Sequence, residues 1–181
     1  AAVADNVARS GPAENHPYEN PNVIAGAGTA ALELLGDVDG LDAVVAPVGG
    51  GGLLSGTSVV AAAAGVAAWG AEPSGADDAH RSFHAGVLQP ALDPDTIADG
   101  LRAPLSARTL SILRDNVHDI VVVDDATTVV AMRLVWERTK LLIEPSAAVA
   151  VAAVPTLVAT GHRRIGIILS GGNVDLDHLP F

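Results

Sequence analysis

The stretch VVAPVGGGGLLSG places four consecutive glycines, Gly49 to Gly52, between an apolar, β-like run and a segment of helical character. Successive amides without side chains can wrap a phosphate, and a helix start adds unpaired N–H groups and the positive end of a dipole. A flexible strand-to-helix turn is the bland reading, and one or two glycines would satisfy it. Four in a row cost conformational entropy on ordering, which favours the anion. The run does not spell the dinucleotide fingerprint G-x-G-x-x-G, and no Gly-Lys-Ser/Thr follows as in a P-loop. A second glycine-rich segment, SGGNVD at Ser170 to Asp175, follows the last apolar run and reads alone as a turn. Two such strand ends in one parallel sheet would hold the two ends of one small phosphorylated ligand.

The segment AEPSGADD offers different chemistry. Glu72 and Asp78 supply two hard oxygen ligands and the carbonyl of Ala76 a third, with waters completing a Mg²⁺ or Ca²⁺ shell. The rival reading makes Ser74 a helix N-cap and puts Asp77 and Asp78 in a first turn that favours acids. Spacing alone leaves both open. His80, His84, His118, His162 and His178 are scattered without evident pairing, which favours solvated or capping roles over ligation. Trp69 and Trp136 lie in apolar runs and read as core.

These groups need elements to position them. Apolar runs at Asp42 to Pro47, Val66 to Glu72, Asp119 to Asp124 and Arg164 to Ser170 read as strands. Helices are expected over Val23 to Leu35, Leu53 to Ala64, Ala76 to Gly86, Pro104 to Asn116, Ala126 to Leu142 and Ser146 to Thr160, the last broken at Pro155. Val87 to Ala98, with Pro90 and Pro94, reads as a surface loop. The alternation predicts an α/β fold, a mostly parallel sheet with helices on both faces. Ligands in such folds collect beyond the carboxyl ends of the strands, where the glycines lie.

Composition narrows the partners. The 181 residues are 49% hydrophobic and most simply form one domain. A formal net charge of −11 without a basic run argues against nucleic acid. The absence of cysteine removes disulfides, thiolate catalysis and thiolate metal sites. Ala1 to Ser10 carries Asp5 and Arg9 where a signal peptide needs apolar residues, and the run Ala147 to Val158 is too short to span a bilayer. A soluble, cytoplasmic protein without membrane partners is expected.

The segments HPYENPNVIAGAGTAALELL, APVGGGGLLSG, AEPSGADD, TIADGLR, LVWERTKLLIEPSAAVAVAAV and ILSGGNVDL resemble, in the same order, the serine/threonine dehydratase and serine racemase family of pyridoxal phosphate (PLP) enzymes of fold type II. The likeness runs from about His16 to the C-terminus. It implies that Gly49, Gly50, Gly51, Gly52 and the amide of Leu53 form the phosphate cup, and that Ser170 meets the pyridine nitrogen. Gly100 and Glu144 match positions lining the cofactor pocket, although Glu144 reads equally well as a helix-start carboxylate. The metal-dependent branch carries the AEPSGADD pattern, which favours Mg²⁺, or Ca²⁺ or Mn²⁺, at Glu72, Ala76 and Asp78. Lys140 and Asn173 match residues near a nucleotide effector in the racemase branch, and homodimers are the family habit.

Two features depart from the family. Ala27 stands in GAGT where the family has glutamine, and Lys140, the one lysine, matches a helix position remote from the lysine that anchors the cofactor. No catalytic residue is assigned. The chain is expected to be a partial large domain, residues 1–181, lacking the small domain and the anchoring lysine. The reading is a C-terminal portion of an L-threonine or L-serine ammonia-lyase acting on small amino acids, inactive by itself. The alternatives are a non-catalytic ligand-binding or assembly module, or a serine racemase.

Overall fold

The computed structural model describes residues 16–181. The reading of Ala1 to Ser10 therefore lies outside the described residues. Four parallel strands, β1 (Ala43–Pro47), β2 (Ala67–Pro73), β3 (Val117–Val123) and β4 (Ile165–Ile167), form one sheet in the order β3-β2-β1-β4. Around it lie α1 (Pro21–Asp37), α2 (Gly52–Ala63), α3 (Asp78–Ala85), α4 (Ala107–Asn116), α5 (Asp125–Thr139), α6 (Pro145–Ala152) and α7 (Val154–Ala159).

Every residue of β1 is buried, as expected of a parallel strand covered on both faces. Alternation divides its side chains. Ala43 and Val45 join Trp69 and Ala71 against Ala131 of α5, Val149 and Ala150 of α6 and Leu157 of α7. Val44 and Ala46 face Leu54 of α2, Ala79 of α3 and Leu110 and Leu113 of α4. Helices thus cover both faces, as expected.

α1 and α2 cross in direct backbone contact. A Cβ on Gly28 would stand 2.9 Å from the Gly56 carbonyl oxygen, and one on Gly56 only 2.5 Å from the Gly28 amide. The glycines of GAGT and LLSG therefore set how closely the helix that follows the glycine loop is held.

Element ends depart from expectation where the chain reverses. β4 is three residues rather than seven, so Ser170 lies beyond the ladder. The helix expected to Leu142 stops at Thr139, with Lys140 in the left-handed region at φ +64° and its amide donating to the Trp136 carbonyl. Lys140 is thus a cap rather than a mid-helix residue. The last predicted helix divides at Ala153, with Pro155 in the first turn of α7, where no amide is needed. The Val87 to Ala98 segment has no regular structure, but it is not a surface loop throughout, because Thr96 and Ala98 are buried. Among the described residues no helix is long and apolar enough to cross a membrane.

Candidate functional site

The glycine run leaves β1 and enters α2, and each missing side chain is replaced by protein. A Cβ on Gly49 would stand 3.0 Å from the Leu101 Cα, and one on Gly50 would run into the Tyr18 ring. At Gly51, with φ +86°, it would be 2.7 Å from Leu105 Cδ2, and at Gly52 2.8 Å from Tyr18 Cβ. Packing thus disfavours a side chain at all four positions, most severely at Gly50, Gly51 and Gly52, before any ligand is considered. The structure thus adds a packing reason for glycine beside the one expected from the sequence, that a Cβ would hold an anion off. What the packing leaves free is the backbone. No side chain caps α2, and the amides of a first helical turn have no acceptor within the helix. The Gly52 to Leu54 turn is therefore a patch of donors at a positive dipole end.

β4 lies beside β1 in parallel register, Val45 opposite Ile167, and the Ile168 amide donates to the Val45 carbonyl at 2.9 Å. The two glycine-rich strand ends therefore open at the same edge of the sheet. Ser170 is exposed there. Glu144, at the N-cap position of α6, makes no side-chain cap to its own helix. Its Oε2 instead accepts from the Asn173 amide at 2.6 Å, and its own amide donates to the Gly171 carbonyl at 3.0 Å. A Cβ on Gly171 would stand 2.5 Å from the Glu144 carboxyl carbon, so the SGG sequence makes room for this side chain. The Gly100 amide donates to Ser146 Oγ at 3.1 Å, and the Gly100 carbonyl lies against Gly49. Gly49, Gly100, Glu144 and Gly171 are thus one neighbourhood. Tyr18 and Ser146 belong to it and were missed in the sequence, where neither type at that spacing carries a signal.

At the end of β2 the polarity is reversed. Glu72 is buried, its Oε1 accepting from the Ala79 amide at 2.8 Å and its Oε2 from the His80 amide at 2.7 Å. It does for α3 what Ser74 was expected to do, since Ser74 instead opens a single 3-10 turn, Ser74–Ala76. Asp77 is engaged by Arg81 at 2.8 Å. Asp78 is 1% exposed, and neither carboxylate oxygen has a hydrogen-bond partner. Against its burial, the amide of Asp78 itself, the Arg81 charge and the Leu105 amide ease its charge, the amides without reaching hydrogen-bonding geometry. Burial pushes the Glu72 carboxyl up to about 8 against the pull of its two amides, with the Asp78 charge adding to the rise. Burial raises Asp78 as well. Two buried carboxyls, one of them without a hydrogen bond and eased only at a distance by Arg81, offer hard oxygens of the kind a dication such as Mg²⁺ takes.

The histidines are not scattered. His80 and His84 stack edge to face with ring centroids 4.3 Å apart, and His162 accepts from Trp69 Nε1 at 3.1 Å beside His118. Trp69 is core, as expected. Lys140 is exposed, and its Nζ donates to the Glu137 carbonyl at 2.8 Å.

A doubly covered parallel sheet whose donor-rich loop and serine-bearing turn open at the carboxyl ends of adjacent strands defines an α/β ligand-binding fold. A family model described as pyridoxal-phosphate dependent enzyme matches residues 1–171, and the chain belongs to that family, in the fold type II serine/threonine dehydratase and racemase group. It is 48% identical over 171 residues to the β-hydroxyaspartate dehydratase of Paracoccus denitrificans, covering 92% of this chain and 54% of that protein. It is 49% identical over 168 residues to human serine racemase, covering 89% and 49% respectively. The crystal structure of a T.th. threonine deaminase superposes with a TM-score of 0.90 at 41% identity, over 96% of this chain and 65% of that one. The chain spans about half the length of the curated relatives it matches.

Proposed function

We propose that this chain supplies the phosphate cup, the ring-nitrogen contact and the cation site of a PLP-dependent ammonia-lyase that converts L-threonine or L-serine to a 2-oxo acid and ammonia. The observation that carries the reading is the shared opening of the Gly49 to Leu53 loop and the Ser170 turn on adjacent strands. When bound, the cofactor supplies the electron sink for chemistry at the amino-acid α-carbon. The uncapped first turn of α2 binds its phosphate through amides, a donor set that holds a dianion without a competing side chain. Ser170 meets the ring nitrogen as a neutral hydroxyl. It cannot hold a proton on that nitrogen as a carboxylate would, so the sink is weaker and suits a substrate whose β-hydroxyl leaves readily. Glu144 fixes the turn that carries Ser170, through Gly171 and Asn173.

Glu72, the Ala76 carbonyl and Asp78 hold a Mg²⁺, Ca²⁺ or Mn²⁺ ion, a reading supported by the unpartnered oxygens of buried Asp78. Divalent cations should then raise the melting temperature, and Asp78→Asn should abolish that response while leaving the chain folded.

Lys140, at the exposed end of α5, does not anchor the cofactor, so the 181-residue chain by itself is expected to be inactive. Titrating PLP into the chain should broaden and shift its ³¹P resonance. Borohydride treatment followed by peptide mapping should leave Lys140 unmodified. Absence of the ³¹P change would remove the phosphate cup, and a Lys140 adduct or 2-oxobutanoate production would overturn the inactivity. The serine racemases among the relatives favour a second reading, racemisation at the same site. Assaying D-serine beside pyruvate, with the remaining half of a relative's chain supplied in trans, separates the two.

A further inference from the structure

α3 carries two histidines one helical turn apart, and β3 carries an aspartate on the strand it packs beside. The spacing of His80 and His84 puts both imidazoles on one face of the helix, where their centroids stand 4.3 Å apart. His80 Nδ1 lies 2.8 Å from the Ile120 carbonyl oxygen, which can only accept, so Nδ1 carries the proton and the Nε2 lone pair is left for a ligand. A backbone carbonyl that fixes the tautomer in this way is the usual outer support of a metal-binding histidine. Asp119, the residue before Ile120, places Oδ1 3.1 Å from His84 Nε2 and is held by accepting from the Ile120 amide at 2.7 Å. One donor atom from each of His80, His84 and Asp119 lies within 4.8 Å of the other two. Among the described residues this is the one group of histidines and acids so arranged.

An ordinary ion pair accounts for His84 and Asp119 but gives no reason for a second imidazole with a fixed tautomer beside them. We propose that His80, His84 and Asp119 form a second cation site, selective for a borderline transition-metal dication of the Zn²⁺ type, which clamps α3 to β3. Two imidazoles and one carboxylate suit Zn²⁺, Co²⁺ or Ni²⁺, whereas Mg²⁺ and Ca²⁺ demand oxygen. Tetrahedral bonds of about 2.0–2.1 Å put donor atoms roughly 3.4 Å apart, so the triangle must close from its present span of up to 4.8 Å. His84 is exposed and the other two are half-buried, which leaves a fourth position open to water. The net charge of −11 draws cations to the surface. This site shares only backbone with the oxygen site, since the His80 amide donates to Glu72. The two are therefore separable by ligand chemistry.

The test titrates Co²⁺ into the 181-residue chain in saturating Mg²⁺, which fills the oxygen site, and follows visible d–d absorption together with imidazole ¹H–¹⁵N spectra. We expect one equivalent to bind, with the His80 and His84 resonances broadened and those of His16, His118, His162 and His178 unmoved. His84→Ala, an exposed substitution, and Asp119→Asn, which keeps the Oδ1 acceptor, should each weaken Co²⁺ binding by at least about tenfold, the low end of the loss from disturbing even an outer-shell partner. The Mg²⁺-induced rise in melting temperature should persist in both variants. Unchanged Co²⁺ affinity in both, no stoichiometric binding to the parent chain, or perturbation confined to the other histidines would each overturn the site. Loss of the Mg²⁺ response with the Co²⁺ response would overturn the claim of two independent sites.

Discussion

The ends of β1 and β2 lie side by side in one sheet and are electrostatic opposites. After β1 the chain presents amides without acceptors, because four glycines let Tyr18, Leu101, Leu105 and Thr109 close in and no side chain caps α2. After β2 it presents acceptors without enough donors, because Glu72 is satisfied by α3 while Asp78 is buried with nothing to hold. The same architectural position, a strand running into a helix, thus presents unpaired donors in one place and unpaired acceptors in the other. The choice depends on whether glycine or carboxylate follows the strand. Each end leaves polar groups unpaired, amides at one and carboxylate oxygens at the other.

The largest break in this comparison comes from Gly50→Val. Its branched side chain collides with the Tyr18 ring and should cost about 1–3 kcal/mol in chemical denaturation, while eliminating PLP binding. The sharper variant is Gly50→Ala combined with Tyr18→Ala, which removes the obstacle to the methyl group. Recovery of both stability and cofactor binding would make packing the whole reason for glycine. Recovery of stability alone would restore the steric argument made from the sequence, in which a Cβ keeps the phosphate away.

The β2 end should declare itself through pH. Glu72 is raised to about 8 from an ordinary 4.5, so between those values the folded chain holds a proton that the unfolded chain has released. Without divalent cations, stability should therefore fall as pH rises from about 5 to 8, with a slope of at most about 1.4 kcal/mol per pH unit for one group. Asp78 acts in the same direction. Asp42, Asp124, Glu137 and Asp175 are lowered by hydrogen bonds from backbone or side-chain groups, so they act oppositely and only below the ordinary carboxylate range. Saturating Mg²⁺ should flatten the slope. A melting profile with the same slope in Mg²⁺ as in chelator would mean that the two acids are simply stored protonated.

How much of this was legible in the sequence follows from how local each cause is. β1 and β2 announce themselves because their apolar runs are buried on both faces, β3 because of its β-branched run although it is only partly buried at the sheet edge, and the glycine loop because its composition is extreme. β4 was overestimated, since the chain turns toward Glu144 after three residues, a contact with α6 that no pattern within RIGIILS encodes. The end of α5 was overrun because Leu141 and Leu142 continue the apolar pattern, while Lys140 adopts the left-handed conformation usually left to glycine. The role of Tyr18 and the pairing of His84 with Asp119 depend on which elements the topology makes neighbours. His80 and His84 showed the helical spacing, but their partner lies on β3, across an intervening helix in the chain.

The smallest effect on stability is expected at Ser170, and it is the most discriminating for the anion end. Ser170 is exposed, lies beyond the ladder of β4, and its hydroxyl has no hydrogen-bond partner among the described residues. Ser170→Ala should therefore leave the melting temperature nearly unchanged, within about 0.5 kcal/mol, as surface substitutions usually do. Glu144→Gln supplies the contrast, because its carboxylate holds the Asn173 amide at 2.6 Å; replacing it should loosen the whole turn. If Ser170 meets the cofactor ring, Ser170→Ala should weaken PLP binding several-fold, the loss of one neutral hydrogen bond of about 1 kcal/mol, with stability untouched. Glu144→Gln should lower stability and binding together. Equal PLP affinity in Ser170→Ala and the parent chain would confine recognition to the phosphate, making the β1 end the whole of the anion site and the β4 end only its wall.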